Sequence, residues 1–220
     1  MNRTAVLFDM DGLMVDTETL SRRAWEQIAA GYGQTISDDL YGRMLGIRTS
    51  ESAVLARDEL ALPLSVDELI ARKTAVFLAD LEADGVPVMP GLLALLDALD
   101  ARGLPWAVAT STPRAVAAHI LGQMGLAERC GALAGGDEVA QGKPSPELYL
   151  LAAERLGVDP AACLALEDTP IGCAAAAAAG ARVLVVPTEM TRDAAFPCAH
   201  RLYRSLTEVA ADLDALLGDG

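Results

Sequence analysis

The sequence predicts an α/β protein with a doubly wound core on a parallel sheet and a small inserted all-helical domain. Three observations lead there. Short apolar runs end in small or polar residues, as strands buried on both faces do. Helix-period segments of suitable length fill the gaps between the later runs. One gap, early in the chain, is far too long for a single crossover.

Taken in order, the predicted strands are Thr4–Phe8, Trp106–Ala109, Ala132–Ala134, Cys163–Leu166 and Arg182–Val186. Between the later ones, helices are predicted over Pro113–Met124, Ser145–Leu156 and Pro170–Ala179. Pro113 and Pro170 suit a first helical turn and Gly180 a helix end. The run Ala174–Ala179 is low in complexity, but alanine is the best helix former, so it reads as a close-packed helix. Strands alternating with helices give a parallel, Rossmann-like sheet with right-handed crossovers. The long gap, from Asp11 to Thr110, is 99 residues, whereas a βαβ unit needs about 30. Within it, helical periods run over Leu20–Tyr32, Thr49–Leu60 and Val66–Leu81, with no alternating strand pattern. Pro87 and the pair Pro90–Gly91 mark the return to the sheet. Residues 1–16 and 87–220 are therefore expected to form the core, and 17–86 a helical cap.

Composition removes several classes of function. The 220 residues carry 17 basic and 31 acidic side chains, a net charge of −14. Nucleic acid and anionic membrane both require a basic footprint and are disfavoured as partners. A hydrophobic content of 52% indicates a globular chain, and aromatics of only 4% leave the core to Ala, Leu, Val and Ile. Cys130, Cys163, Cys173 and Cys198 form no C-x-x-C pair and lie in apolar stretches, so buried free thiols and a reducing, cytoplasmic setting are expected. The start of the chain runs straight into a strand, leaving no room for a signal peptide. The most apolar stretch, Cys173 to Val186, is broken by Gly180 and Arg182 and is too short to span a bilayer. A monomer is expected. His119 and His200 stand far from each other and from any cysteine pair, which disfavours zinc. No G-x-G-x-x-G follows a strand, and Gly136–Lys143 lacks the spacing and Ser/Thr of a P-loop.

In a doubly wound sheet, ligands bind beyond the carboxyl ends of the strands. Those ends read Asp9-Met10-Asp11-Gly12, Thr110-Ser111-Thr112, Gly142-Lys143-Pro144 and Glu167-Asp168-Thr169. Any one of them passes as a turn or helix cap. Together they gather four carboxylates, a lysine and a hydroxyl cluster. Four carboxylates cannot all stay ionised side by side without a cation. A hard divalent ion with oxygen ligands, Mg²⁺, resolves the conflict, and Lys143 with the Thr110 and Ser111 hydroxyls and amides is left to bind further anionic oxygens. Such a set fits phosphoryl transfer.

The same motifs resemble those of the haloacid dehalogenase superfamily: D-M-D-G-L at 9–13 with V-D-T-E at 15–18, then A-V-A-T-S-T, G-K-P-S-P-E and L-E-D-T-P-I-G, in the family's order. The helical insertion after the first motif resembles the branch that includes β-phosphoglucomutases and sugar-phosphate phosphatases. The resemblance implies Asp9 as nucleophile, Asp11 as general acid/base, Thr110 as a hydroxyl donor to phosphate and Lys143 as the lysine that offsets charge on both. It implies Mg²⁺ held by Asp9, Asp168, Glu167 and the Asp11 backbone carbonyl. Arg48 lies on a segment that resembles the cap's substrate loop, and Lys73 a cap-helix position that resembles a phosphate-binding lysine; each also reads as a solvated surface charge.

The expected activity is Mg²⁺-dependent hydrolysis of a small phosphorylated metabolite, a sugar phosphate, through an aspartyl-phosphate. A phosphohexose mutase is the alternative. It is disfavoured because the histidine and arginine that grip the distal phosphate in β-phosphoglucomutases align with Ser21 and Thr49. A non-enzymatic phospho-acceptor module of the response-regulator type is a third reading. Such modules are about half this length and place their acidic pair and acceptor aspartate on different strands.

Overall fold

A computed structural model describes residues 4–218. Six parallel strands form one sheet: β1 (Ala5–Phe8), β2 (Trp106–Ala109), β3 (Ala132–Ala134), β4 (Cys163–Glu167), β5 (Arg182–Val185) and β6 (Arg201–Leu202). Their spatial order is β3-β2-β1-β4-β5-β6. The chain winds outward from β1 on one side, then returns to pair β4 with β1 and winds outward on the other. In register, Leu7 faces Ala107 on one neighbour and Ala165 on the other. The switch point therefore lies between β1 and β4, and Asp9, Glu167 and Asp168 stand at its carboxyl edge.

Side-chain size differs between the two faces of the sheet. Val6, Phe8, Trp106, Val108, Leu164 and Leu166 face one layer, where Phe8 and Trp106 meet edge to face at 5.9 Å. That layer includes α5 (Leu92–Asp100), α6 (Arg114–Gln123), α9 (Leu206–Ala211) and α10 (Leu213–Gly218). The intervening residues, Ala5, Leu7, Ala107, Ala109 and Ala165, face α7 (Glu147–Leu156) and α8 (Pro170–Ala178). Mostly small side chains on this face allow the alanine-rich α8 to pack closely, which accounts for its composition.

Within the long gap, residues 17–86 hold four helices: α1 (Thr17–Ala30), α2 (Asp38–Met44), α3 (Thr49–Glu59) and α4 (Val66–Asp84). They enclose a core of their own around Trp25, Ile28, Leu40, Tyr41, Ala53, Ala56 and Leu69. Two connecting segments run side by side between this unit and the sheet, where Asp16 N–H donates to Pro87 O (2.8 Å) and Met89 N–H to Met14 O (2.9 Å).

The predicted strands and helices appear with their ends moved by up to three residues, and α2, α5, α9, α10 and β6 add to them. Cys163 and Cys173 are buried, as expected for structural thiols, but Cys130 is half-buried and Cys198 is exposed. Among the described residues no helix is long and apolar enough to cross a membrane.

Candidate active site

Asp9 follows β1 and is buried beside Lys143, whose Nζ donates to Asp9 Oδ1 at 2.5 Å and to Glu167 Oε1 at 2.6 Å. Burial alone would lower the Lys143 ammonium, but the Asp9 and Glu167 carboxylates overcome that and hold it above its usual range. Burial pushes Asp9 up, and Lys143 opposes the shift.

Glu167 is saturated. Its Oε1 also accepts from Tyr149 Oη at 2.7 Å, and its Oε2 accepts from Asp168 N–H, Thr169 N–H and Thr169 Oγ1. Asp168 is the opposite case. It is fully buried, and neither carboxylate oxygen has a hydrogen-bond partner. An orphaned buried carboxylate costs several kcal/mol unless a proton or a cation meets it (~2–7 on transfer scales for a polar group). Burial and the Asp9, Glu167 and Glu18 carboxylates push its pKa well up. Ligand atoms of Asp9, Glu167 and Asp168 lie within 4.8 Å of one another. The donors are hard oxygens, which suits Mg²⁺. Asp9 and Asp168 have the free capacity for it, while Glu167 is committed to Lys143 and the strand end.

Two glycines make room for these carboxylates. Gly12 has φ +83°, and a Cβ there would run into Asp168 Oδ2. A Cβ on Gly172, in the first turn of α8, would run into the Glu167 carboxylate.

Asp11 is held by three hydroxyls: Thr17 Oγ1 donates to Oδ1 at 2.6 Å, and Thr110 and Thr112 Oγ1 donate to Oδ2 at 2.8 and 2.9 Å. Thr110 thus braces Asp11, and its Oγ1 also accepts from Thr112 N–H. Ser111 lines the cleft, but its hydroxyl donates across to Gly46 O at 2.7 Å, tying the sheet edge to the loop before α3.

The cleft between the sheet edge and α1–α4 measures about 670 Å³, counting its open mouth. Asp9, Asp11, Ser111 and Lys73 all face it. The chain has two lysines, Lys73 and Lys143, and both are here. Lys73 Nζ rests 4.5 Å from the centroid of the Phe77 ring. Burial lowers its pKa to about 8, against the pull of Asp11.

Arg48 is not among the cleft-lining residues. Its guanidinium is bonded to Glu51 (Nη2···Oε1 2.7 Å) and to the carbonyls of Val139 and Ala140 (3.2 Å each). The structure therefore brings together Asp9, Asp11, Lys73, Thr110, Ser111, Lys143, Glu167 and Asp168 and turns Arg48 aside. Sequence reasoning missed Tyr149, and it placed Thr112 and Glu18 in its motifs without giving either a role of its own. Glu18 follows Thr17 in the first motif and is among the residues lining the cleft; its carboxyl, hydrogen-bonded by Thr188, is pushed up to about 7 by burial.

If Gly172 exists to clear Glu167, Gly172→Ala should cost about 1–3 kcal/mol, as overpacking does. Urea unfolding should show a lowered midpoint at unchanged slope; an unchanged midpoint would contradict this account.

The sequence profile of the haloacid dehalogenase-like hydrolases matches residues 4–180. Protein CbbY of Rhodobacter capsulatus is 36% identical over 213 residues, covering 90% of this chain and 92% of that protein. A phosphorylated carbohydrates phosphatase of Thermotoga maritima is 34% identical over 180 residues, covering 80% and 81%. Among solved structures, an aspartate-to-asparagine variant of CbbY from Rhodobacter sphaeroides, in complex with xylulose-(1,5)bisphosphate, superposes with a TM-score of 0.86 at 32% identity, over 94% of this chain and 96% of that one. With the strand-end carboxylates, Lys143 and the helical insertion in place, the chain belongs to the haloacid dehalogenase-like hydrolases.

Proposed function

We propose that the protein is a Mg²⁺-dependent phosphatase of a small phosphorylated sugar, working through an aspartyl-phosphate on Asp9, with residues 17–86 as the cap that selects the substrate. One observation carries this reading most: the buried Asp168 carboxylate without a partner, beside the Asp9–Lys143 pair. Asp9 and Asp168, with the Asp11 backbone carbonyl, would hold the ion, which when bound neutralises charge on the phosphoryl oxygens. The relatives named as phosphatases support the reaction class.

Asp9 attacks phosphorus, a P–O bond to the carboxylate forms, and the bond to the sugar oxygen breaks. Asp11, when protonated, gives that oxygen its proton. Asp11 then takes a proton from water, whose oxygen attacks the same phosphorus, releasing inorganic phosphate and restoring the Asp9 carboxylate. Lys143 stays protonated between Asp9 and Glu167 and offsets negative charge throughout. Thr17, Thr110 and Thr112 fix the aim of Asp11.

Hydrolysis is favoured over mutase chemistry by the cap. Ser21 and Thr49 line the cleft at the positions where a mutase needs its distal-phosphate grip, and Arg48, next to Thr49, is engaged elsewhere. With Mg²⁺ the protein should release phosphate from sugar phosphates, and Asp9→Asn should lower kcat by several orders of magnitude. The mutase reading would prevail if β-glucose 1-phosphate with catalytic 1,6-bisphosphate gave glucose 6-phosphate faster than phosphate.

Lys73 sets a pH limit. Its ammonium is charged below about 8 and neutral above, so its attraction for an anionic substrate is lost as pH rises through that value. KM should climb there. In Lys73→Arg the guanidinium remains charged and the climb should vanish; the same limb in both proteins would remove Lys73 from substrate binding.

A further inference from the structure

Arg48, the residue before α3, reaches from the helical unit to the core. Its Nε and Nη2 both donate to Glu51 Oε1, at 3.1 and 2.7 Å, and its Nη1 donates to the backbone carbonyls of Val139 and Ala140, at 3.2 Å each. Glu51 also accepts from Arg48 N–H through Oε2 at 3.0 Å, which fixes the fork from its own side and leaves the other side to the carbonyls. A planar guanidinium serves one carboxylate and two carbonyls at once, as a compact ammonium would not. The side chain also lies on Gly142. A Cβ there would come within 2.8–3.0 Å of Arg48 Nε, Cγ and Cδ, so the arginine rests on bare backbone one residue before Lys143.

The loop that receives these contacts carries the lysine of the site. Part of it is anchored within the core: Gln141 N–H donates to Glu147 Oε2 and Ser145 N–H to Gly142 O, at 3.0 Å each. Val139, Ala140 and Gly142 are met instead from the helical unit, whose own loop is pinned two residues before Arg48 by Ser111 Oγ on Gly46 O. Lys143 then bridges Asp9 and Glu167 with short bonds to both. Little slack remains there, so the path of residues 139–142 sets where the ammonium stands. A misplacement of about 1 Å in a reacting constellation costs on the order of a hundredfold in rate.

We infer that Arg48 is a positioning residue for Lys143: from the helical unit it seats the loop 139–142, so that the lysine takes its working place when that unit lies against the sheet edge. This rests on the phosphatase reading above. It gives Arg48 a part in turnover without any contact with substrate.

The test is steady-state phosphate release by the intact protein with Mg²⁺ from glucose 6-phosphate, sorbitol 6-phosphate and p-nitrophenyl phosphate. Arg48→Ala should lower kcat about tenfold or more and leave KM within about twofold of wild type. Amide hydrogen exchange across residues 139–142 should quicken in the same variant. Gly142→Ala pushes the arginine off the loop without removing it, so it should lower kcat in the wild-type background and add almost nothing in Arg48→Ala, as expected of two residues that act through one contact. A raised KM at unchanged kcat would make Arg48 a substrate-binding residue and overturn the inference. Wild-type kcat in Arg48→Ala, unchanged exchange in the loop, or losses that multiply in the double variant would also overturn it, and each would leave the phosphatase reading intact. No release by the wild type from any of the three compounds would overturn both.

Discussion

The structure is organised around a charge that the fold cannot satisfy by itself. Three carboxylates, Asp9, Glu167 and Asp168, are buried at the switch point of the sheet, where β1 and β4 end side by side. One lysine answers two of them. Lys143 lies between Asp9 and Glu167, and a compact ammonium fits there where a forked guanidinium would not. Its choice stands out in a chain with fifteen arginines and two lysines. The third carboxylate, Asp168, is left with no hydrogen bond. Like charges at this range cannot all persist without a cation, so the fold sets up the demand for one. The small residue at Gly172, the left-handed turn at Gly12 and the Tyr149 hydroxyl beneath Glu167 are the local conditions that keep the three groups in place.

Legibility from sequence follows burial and period. The five strands that carry apolar runs could be read, because strands covered on both faces are continuously apolar. β6, two exposed residues Arg201–Leu202, has no such signature. α2 is only seven residues and takes its order from Ser37, which caps its first turn, and from tertiary packing of Tyr41 and Met44. α5, Leu92–Asp100, is leucine-rich and follows the Pro90–Gly91 turn, so its period carried a signal that the turn residues overshadowed.

In the site, residues at strand ends were legible because topology alone sends them to one edge. Tyr149 was not: it lies within α7, where a tyrosine reads as core until its hydroxyl is seen on Glu167. Nor was the destination of Arg48. A loop arginine can turn to solvent, substrate or backbone with the same sequence, and here Glu51, three residues on, draws it into the N-terminal turn of α3 and onto the carbonyls of Val139 and Ala140. That contact and Ser111 on Gly46 draw the cap against the sheet edge. A net charge of −14 opposes any anion at long range, and the two lysines of the chain, Lys143 and Lys73, are the positive charges placed at this edge.

The central claim, that Asp168 is held ready for a divalent cation, is tested most directly by thermal unfolding with and without Mg²⁺ in the wild type and in Asp168→Asn. Wild type should gain about 5–10 °C at a hundredfold excess over Kd. Asp168→Asn, which replaces an acid already pushed well up by burial with a neutral amide of the same shape, should unfold near the metal-free wild-type temperature and gain nothing from Mg²⁺. A variant that kept the full wild-type shift would contradict the account.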